Sequence, residues 1–224
     1  MRGTTAALAS SVLLIAAAYF VPARAQSPLP AGVSIEDLLG TMLRASKWEQ
    51  SDIPVCWENP SSATEPFQKV TAKAVAETWE THAPITFSGW GACKPESKGI
   101  RIQIADVGPH VTALGKYLDA KPNGMVLNFA FENWSTGCAT TREFCAYAVA
   151  AHEFGHALGF THEQNRDDAP RQCRDEKSQG TNGDYKVTAY DPLSIMNYCS
   201  PQWNGDGKLS KLDIEALQRV YGKR

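Results

Sequence analysis

The sequence predicts an α+β domain, with a layer of strands and helices up to residue 160 and a loop-rich part after it. Between residues 52 and 160, short segments with the two-residue period of strands alternate with longer segments that have amphipathic helical spacing. The part that follows has little periodicity until a final helical segment near the C-terminus. The 224 residues are 43% hydrophobic and 21% charged, which supports a full core and excludes a disordered or collagen-like chain.

Residues 1–25 have the features of a secretory signal peptide. This stretch lacks acidic residues, carries Arg2 near its start, contains the apolar run Val12–Val21 and ends in Ala23-Arg24-Ala25. The apolar run is shorter than the roughly 20 residues that span a bilayer, so a secreted protein, extracellular or periplasmic, without a membrane anchor after cleavage is expected. Cleavage would leave 20 basic and 24 acidic groups, a net charge of −4, which argues against nucleic acid as a partner.

Residues 26–46 are predicted to form a linker or a short prosegment. Pro28 and Pro30 begin this stretch, and the apolar residues after them have the spacing of a short amphipathic helix. Those apolar residues are Ile35, Leu38, Leu39, Met42 and Leu43. One globular domain is then expected over residues 47–224.

Four strand patterns and one helix pattern occur before residue 132. The strands are predicted at Ile53–Trp57, Ile85–Phe87, Ile100–Ile104 and Met125–Phe131, and the helix at Pro66–Thr81. The stretch Val111–Leu118 is ambiguous, and a short edge strand is one possibility. His82 is expected as a cation near the carbonyls at a helix end, and His110 as a surface residue.

Two further helices are predicted from capping boxes, in which a hydroxyl residue and an acidic residue three positions later cap the first turn. Thr140 and Glu143 begin a long helix, and Ser210 and Asp213 begin a closing helix that Gly222 ends. The apolar stripe of the long helix is Phe144, Ala148, Ala151 and Leu158. The inward side of the closing helix is Leu212, Leu217, Val220 and Tyr221.

All six cysteines follow the predicted cleavage point, so three disulfides are expected in an oxidising compartment, with buried free thiols as the alternative. Six cysteines allow fifteen pairings. Because short loops close with the least loss of entropy, pairing in chain order is favoured. The predicted bridges are Cys56–Cys93, Cys138–Cys145 and Cys173–Cys199.

The string from His152 to His162 carries the chemistry. On a helix His152 and His156 are one turn apart, so both imidazoles point the same way, as a single ion requires. Glu153 projects to the side, where it can reach a metal-bound water. Gly159 can take a positive φ and end the helix, so that His162 returns as a third ligand. Three histidines leave a fourth position open for water, which is typical of catalytic zinc.

The alternative is a helix with fortuitous histidines. A bare His-Glu-x-x-His occurs by chance about once per 8,000 positions under uniform residue usage. The further requirement for Gly159 and His162 lowers that frequency by ~400-fold, so a zinc site is favoured.

The same residues resemble the metzincin zinc endopeptidases, whose extended motif His-Glu-x-x-His-x-x-Gly-x-x-His is matched at every fixed position. The resemblance is closest to the astacins, because Glu163 follows the third histidine. The segment Ser194–Tyr198 is similar to their Met-turn, although Asn197 stands where astacins usually carry histidine.

The resemblance implies a metzincin-like zincin domain of two lobes. The N-terminal lobe would hold a mixed twisted sheet and two long helices, and the C-terminal lobe would be loop-rich and end in a helix. It also implies that Met196 lies beneath the zinc site and that Tyr198, near the metal, donates a hydrogen bond to the oxyanion. Glu163 is expected to be structural.

The predicted function is therefore secreted, zinc-dependent hydrolysis of peptide bonds. His152, His156 and His162 would bind Zn²⁺, Glu153 would act as general base and Tyr198 would assist. The expected partner is a protein or peptide substrate, and a monomer is expected. The alternative is a zinc-binding pseudoprotease or a binding module without turnover.

Overall fold

The computed structural model describes residues 42–174 and 180–224. The predicted signal peptide, and the predicted linker or prosegment up to residue 41, lie outside the described residues. Within the described part, no helix has both the length and the apolar character needed to cross a membrane.

A five-stranded mixed sheet forms the first part of the fold. Its strands are β1 (Asp52–Trp57), β2 (Thr86–Ala92), β3 (Ile100–Ile104), β4 (His110–Val111) and β5 (Met125–Leu127). Their order is β2-β1-β3-β5-β4, and all neighbours are parallel except the edge strand β4, which is antiparallel to β5. The ambiguous stretch from Val111 to Leu118 thus holds the end of this edge strand and a 3₁₀ turn at Gly115–Leu118.

Strand β5 is shorter than predicted, because the sequence pattern extended it to Phe131. The side-chain oxygen of Asn128 accepts hydrogen bonds from the backbone N–H groups of Ala130 and Phe131. Phe131 also has a φ of 61°, outside the range of strands. This local turn ends the strand after Leu127, although the apolar residues continue.

Two long helices pack with the sheet, as predicted. Helix α1 (Glu65–Val75) continues as a π-helical segment at Ala76–Glu80, which together cover most of the predicted helix at residues 66–81. Two helices follow residue 135, namely the short α2 (Thr136–Thr140) and the long α3 (Arg142–Ala157). Most of α3 is buried, so it lies in the core of the domain.

The predicted capping box at Thr140 is wrong. The Ser135 side chain caps α2 instead, and Thr140 is the last residue of that short helix. Helix α3 begins only at Arg142, after Thr141, whose side chain makes no capping bond. Of the predicted apolar stripe, Phe144 is not in the core, because it is 45% exposed and its ring contacts that of Trp203.

The part after residue 160 consists of loops, short turns and a closing helix. The short segments are 3₁₀ turns at Glu163–Asn165 and Trp203–Gly207 and a helical turn, α4, at Arg171–Arg174. The closing helix, α5 (Lys211–Tyr221), has the predicted capping box in full. Gly222, with a φ of 91°, ends α5 as predicted.

All three disulfides pair in chain order, which confirms the prediction. The bridges are Cys56–Cys93, Cys138–Cys145 and Cys173–Cys199. The first joins β1 to the residue after β2, the second joins α2 to α3, and the third connects two loop-rich segments after residue 160. Each part of the fold therefore has its own covalent link.

Candidate metal centre and active site

Helix α3 carries two of the three histidines on one face, just before its C-terminal end. His152 and His156 are both buried, and their ring centroids are 4.8 Å apart. The helix ends at Ala157, and Gly159 takes a φ of 95°, the left-handed conformation expected at this position. The chain then turns back toward the helix and carries His162 with it.

The three imidazoles converge on one point. The Nε2 atom of His162 lies 3.3 Å from Nε2 of His152 and 3.1 Å from Nε2 of His156. A tetrahedral zinc ion with nitrogen ligands at 2.0–2.1 Å requires about 3.3–3.4 Å between nitrogens. The three histidines therefore match the donor set and the spacing of a zinc site.

Backbone carbonyls orient the two helical histidines. Nδ1 of His152 donates to the carbonyl oxygen of Ile195 at 2.7 Å, and Nδ1 of His156 donates to that of Phe160 at 2.8 Å. A proton on Nδ1 leaves the lone pair of Nε2 directed at the shared point. Burial lowers the pKa of His152 to about 3 and that of His156 well below its usual value, so both rings are neutral and able to bind a metal.

Glu153 is buried beside this point and has an incomplete set of partners. Its Oε2 atom makes no hydrogen bond with the residues that the structure describes. Burial raises the pKa of this carboxyl to about 8. A buried carboxylate oxygen without a partner is costly, and one facing a cleft is suited to a water molecule or a substrate group.

Tyr198 borders the same point from the other side. Its ring stacks on His152, with centroids 5.1 Å apart and planes 12° from parallel, and lies 4.4 Å from the ring of His162. The backbone N–H of Tyr198 donates to the side chain of Gln164. Tyr198 is 43% exposed, and partial desolvation together with the nearby Glu153 raises the pKa of its hydroxyl above the usual value, so the hydroxyl keeps its proton at neutral pH.

An open cleft of about 240 Å³ leads to these side chains. Its lining includes Glu153, His156, His162 and Tyr198, and the edge strand β4 with the residues that follow it. His110 is exposed, as predicted, yet it also lines the cleft. An extended peptide could therefore lie between the edge of the sheet and helix α3.

The segment Ser194–Tyr198 passes beneath the histidines. Met196 is buried there against Gly155, where an added Cβ atom would lie only 2.4 Å from the methionine sulfur. Such a distance is far below ordinary contact, so Gly155 is required for this approach. The sequence motif leaves the position of Gly155 unspecified, and no local signal marks it.

Asp213 holds this segment in place. Its two carboxylate oxygens accept from the hydroxyl of Ser194 at 2.6 Å and from the backbone N–H of Ile195 at 2.9 Å. Ile195 in turn provides the carbonyl that orients His152. Sequence reasoning identified Asp213 only as a capping residue and missed this second role.

Glu163 is a structural residue, as expected. It accepts a hydrogen bond from the backbone N–H of Asp191 and pairs with the buried Arg166, whose nearest nitrogen is 3.3 Å away. Asn197 also binds locally, since its side chain donates to Tyr190 and to the carbonyl of Asp191. Both residues stabilise the loops below the site.

Comparison with known proteins agrees with this geometry. A model of the matrixin family matches residues 47–173. Bovine interstitial collagenase is 24% identical over 185 residues, which cover 79% of this chain and 33% of the collagenase. The chain thus spans about a third of the length of that relative.

Two solved structures have the same fold. Myroilysin matches with a TM-score of 0.60 and 20% identity, over 83% of this chain and 100% of the myroilysin chain. The second structure is high choriolytic enzyme 1, a hatching-enzyme zinc-protease of the medaka fish Oryzias latipes. It matches with a TM-score of 0.50 and 19% identity, over 80% of this chain and 96% of the hatching-enzyme chain.

These matches confirm the predicted metzincin-like fold, while the narrower likeness to astacins stays a prediction. The family model covers more than half of the sequence and includes the three converging histidines and Glu153. We conclude that this chain belongs to the matrixin family, within the metzincin zinc metalloproteases.

Proposed function

We propose that this chain is a zinc-dependent endopeptidase that hydrolyses peptide bonds of proteins or peptides. One observation carries the proposal, namely that three imidazole nitrogens converge beside a buried carboxylate oxygen that lacks a partner among the described residues. A structural zinc site needs four protein ligands and no such carboxylate. His152, His156 and His162 would hold the ion.

Glu153 would act as the general base. Zinc bound to the histidines would supply a Lewis acid for the scissile carbonyl and lower the pKa of water toward about 7. Glu153 would take the proton from the attacking water and deliver it to the leaving amine. Its burial supports this role, because desolvation makes a carboxylate a stronger base than it is in water.

The test of this role compares the wild type with Glu153→Gln. We expect the variant to keep its zinc and its fold and to lose activity by a factor of about 10²–10⁴, because the base is not a ligand. Zinc per chain is measured by elemental analysis and turnover by casein hydrolysis. If zinc were lost together with activity, Glu153 would be a ligand and the assigned role would be wrong.

The same assay separates the enzyme from its alternative. Addition of a chelator to the wild type should abolish casein hydrolysis, and restored zinc should recover it. A zinc-binding pseudoprotease or a binding module would hydrolyse no substrate in either state. The alternative is less favoured because Glu153 lines the cleft and its Oε2 atom has no hydrogen-bond partner among the described residues.

Tyr198 would donate its hydroxyl hydrogen to the oxyanion of the tetrahedral intermediate. Its ring borders the histidines and it lines the cleft, which supports this assignment. Tyr198→Phe should leave zinc content and KM nearly unchanged and lower kcat. The activation free energy should rise by up to about 2.7–4 kcal/mol, which is the effect of removing one oxyanion donor in another protease. An unchanged kcat at matched zinc content would remove Tyr198 from the catalytic residues.

The proposed enzyme would be secreted and processed at its N-terminus. Three disulfides support an oxidising compartment and hence secretion, after removal of a signal peptide at residues 1–25. Residues 26–46 would then be a linker or short prosegment, and residues 47–224 the catalytic domain. Glu163 and Tyr198 support astacin-like features at the site of this matrixin chain.

A further inference from the structure

A short segment ahead of the sheet contacts the end of the metal-binding helix. This segment, Met42–Trp48, is called the N-terminal strap below. It lies mostly before residue 47, where the match to the matrixin family begins. Met42, Ser46 and Trp48 are all buried, so the strap belongs to the folded domain.

The strap binds the carbonyl groups at the C-terminal end of α3. The backbone N–H of Leu43 donates to the carbonyl oxygen of Gly159 at 3.1 Å, and the indole N–H of Trp48 donates to that of Ala157 at 2.7 Å. The last carbonyls of a helix have no partner within the helix. Partners that bind them from outside determine how the chain leaves the helix.

The strap is itself anchored on both sides. Met42 forms antiparallel bridges with Phe160 and with Tyr185, and the backbone N–H of Arg44 donates to Asp184 at 2.8 Å. The fit is close, because a Cβ atom added to Gly159 would lie 2.5 Å from the hydroxyl oxygen of Ser46. The strap therefore packs directly on the turn that follows the helix.

This turn is linked to two of the three histidines. Phe160, which bridges Met42, provides the carbonyl that accepts from Nδ1 of His156. His162 follows two residues later, and its Nε2 atom must return to within 3.1 Å of that of His156. A shift of the turn would change the orientation of His156 and the position of His162 together.

We propose that the N-terminal strap is a positioning element for the metal centre, acting on His156 through Phe160 and on His162 through the Gly159 turn. The inference rests on the proposed zinc site. It follows that residues 42–46, the end of the predicted linker or prosegment, would stay with the catalytic domain, because their removal would expose the carbonyl of Gly159.

The most selective test removes one hydrogen bond from the strap in the full-length chain. Leu43→Pro removes the N–H that binds Gly159, and the φ of −88° at this position is close to the range of proline. Leu43→Ala is the matched control, because it shortens the same side chain and keeps the N–H. Zinc affinity is measured by chelator competition, and ligand geometry by the absorption spectrum of the cobalt(II)-substituted protein.

We expect Leu43→Pro to weaken zinc binding about tenfold, the lower end of the 10–100-fold loss seen when groups that orient metal ligands are removed. Its cobalt spectrum should also change, whereas Leu43→Ala should match the wild type in both measurements. A merely structural strap would lower the melting temperature of Leu43→Pro and leave zinc affinity and the spectrum unchanged. That result would overturn the inference.

A second pair of variants decides the matter if Leu43→Pro does not fold. Met42→Ala removes the buried side chain that seats the strap, and Met42→Leu preserves its volume. Weaker zinc binding in Met42→Ala and wild-type zinc affinity in Met42→Leu support the inference. Wild-type zinc affinity in both variants overturns it. A wild-type chain that binds no zinc would instead refute the metal centre itself.

Discussion

The regions before and after residue 160 hold the candidate site by different physical means. Before residue 160, regular backbone structure places the side chains, since His152 and His156 point the same way because they are one turn apart on α3. After residue 160, the backbone has little regular structure, and buried carboxylates hold it. The positions of two histidine ligands therefore depend on a helix, and the position of the third depends on a network of side chains.

The carboxylates of the second region bind backbone N–H groups within and between loops. Glu163 accepts from Asp191, Asp191 accepts from Leu193, and Asp213 accepts from Ile195. Because each bond replaces one that a helix or strand would have made, loss of a single carboxylate frees backbone groups that are buried. We expect the first region to tolerate such a loss better, because most of its backbone bonds lie within the sheet and helices.

The largest effect is expected for Asp213→Ala. The change removes the acceptor of three donors, the Ser194 hydroxyl and the backbone N–H groups of Ile195 and Ser210. We expect a loss of about 2–4 kcal/mol in the free energy of unfolding, because each orphaned donor costs about 1–3 kcal/mol when buried. Zinc affinity should fall as well, since Ile195 orients His152. Denaturant titration and chelator competition measure the two effects.

Glu58→Ala is the matched control in the first region. Glu58 also accepts from three donors, two on Arg101 and the backbone N–H of Asn123. Its loss should destabilise the fold and leave zinc affinity unchanged, because β1 and β3 remain paired. If both variants lost zinc equally, the proposed difference between the regions would be wrong.

A smaller effect is expected where the two regions touch, at Gly155. Gly155→Ala would place a methyl group 2.4 Å from the sulfur of Met196 and 3.0 Å from a ring carbon of Trp79. Overpacking of this kind costs about 1–3 kcal/mol, partly offset by the better helix propensity of alanine. Thermal unfolding measures the difference. Gly91→Ala, with open space around the added methyl group, should stay within about 0.5 kcal/mol of the wild type.

The sequence was informative wherever a feature depended on near neighbours. The spacing of His152, His156 and His162 and the capping box at Ser210 depend on residues within eleven positions, and the structure brings each group together. The capping box at Thr140 failed because Ser135, slightly further away, caps a separate short helix. A local pattern therefore identifies a helix better than it identifies where the helix begins.

Features that depend on distant parts of the chain could not be predicted from the sequence. Asp213 contacts Ile195 only because α5 folds back under the loops, and Leu43 contacts Gly159 across more than a hundred residues. Neither contact leaves a periodic pattern. The disulfides are an exception, because loop entropy favours the order in which they pair.

The zinc content of His162→Ala tests most directly whether the two regions together complete one metal site. This substitution keeps α3 and both of its histidines and removes the histidine that the second region supplies. We expect zinc to bind the wild type at one ion per chain and to be largely lost from the variant together with casein hydrolysis, because two imidazoles leave the site one ligand short. Full zinc occupancy in folded His162→Ala protein would contradict the account, because the third ligand would then lie elsewhere.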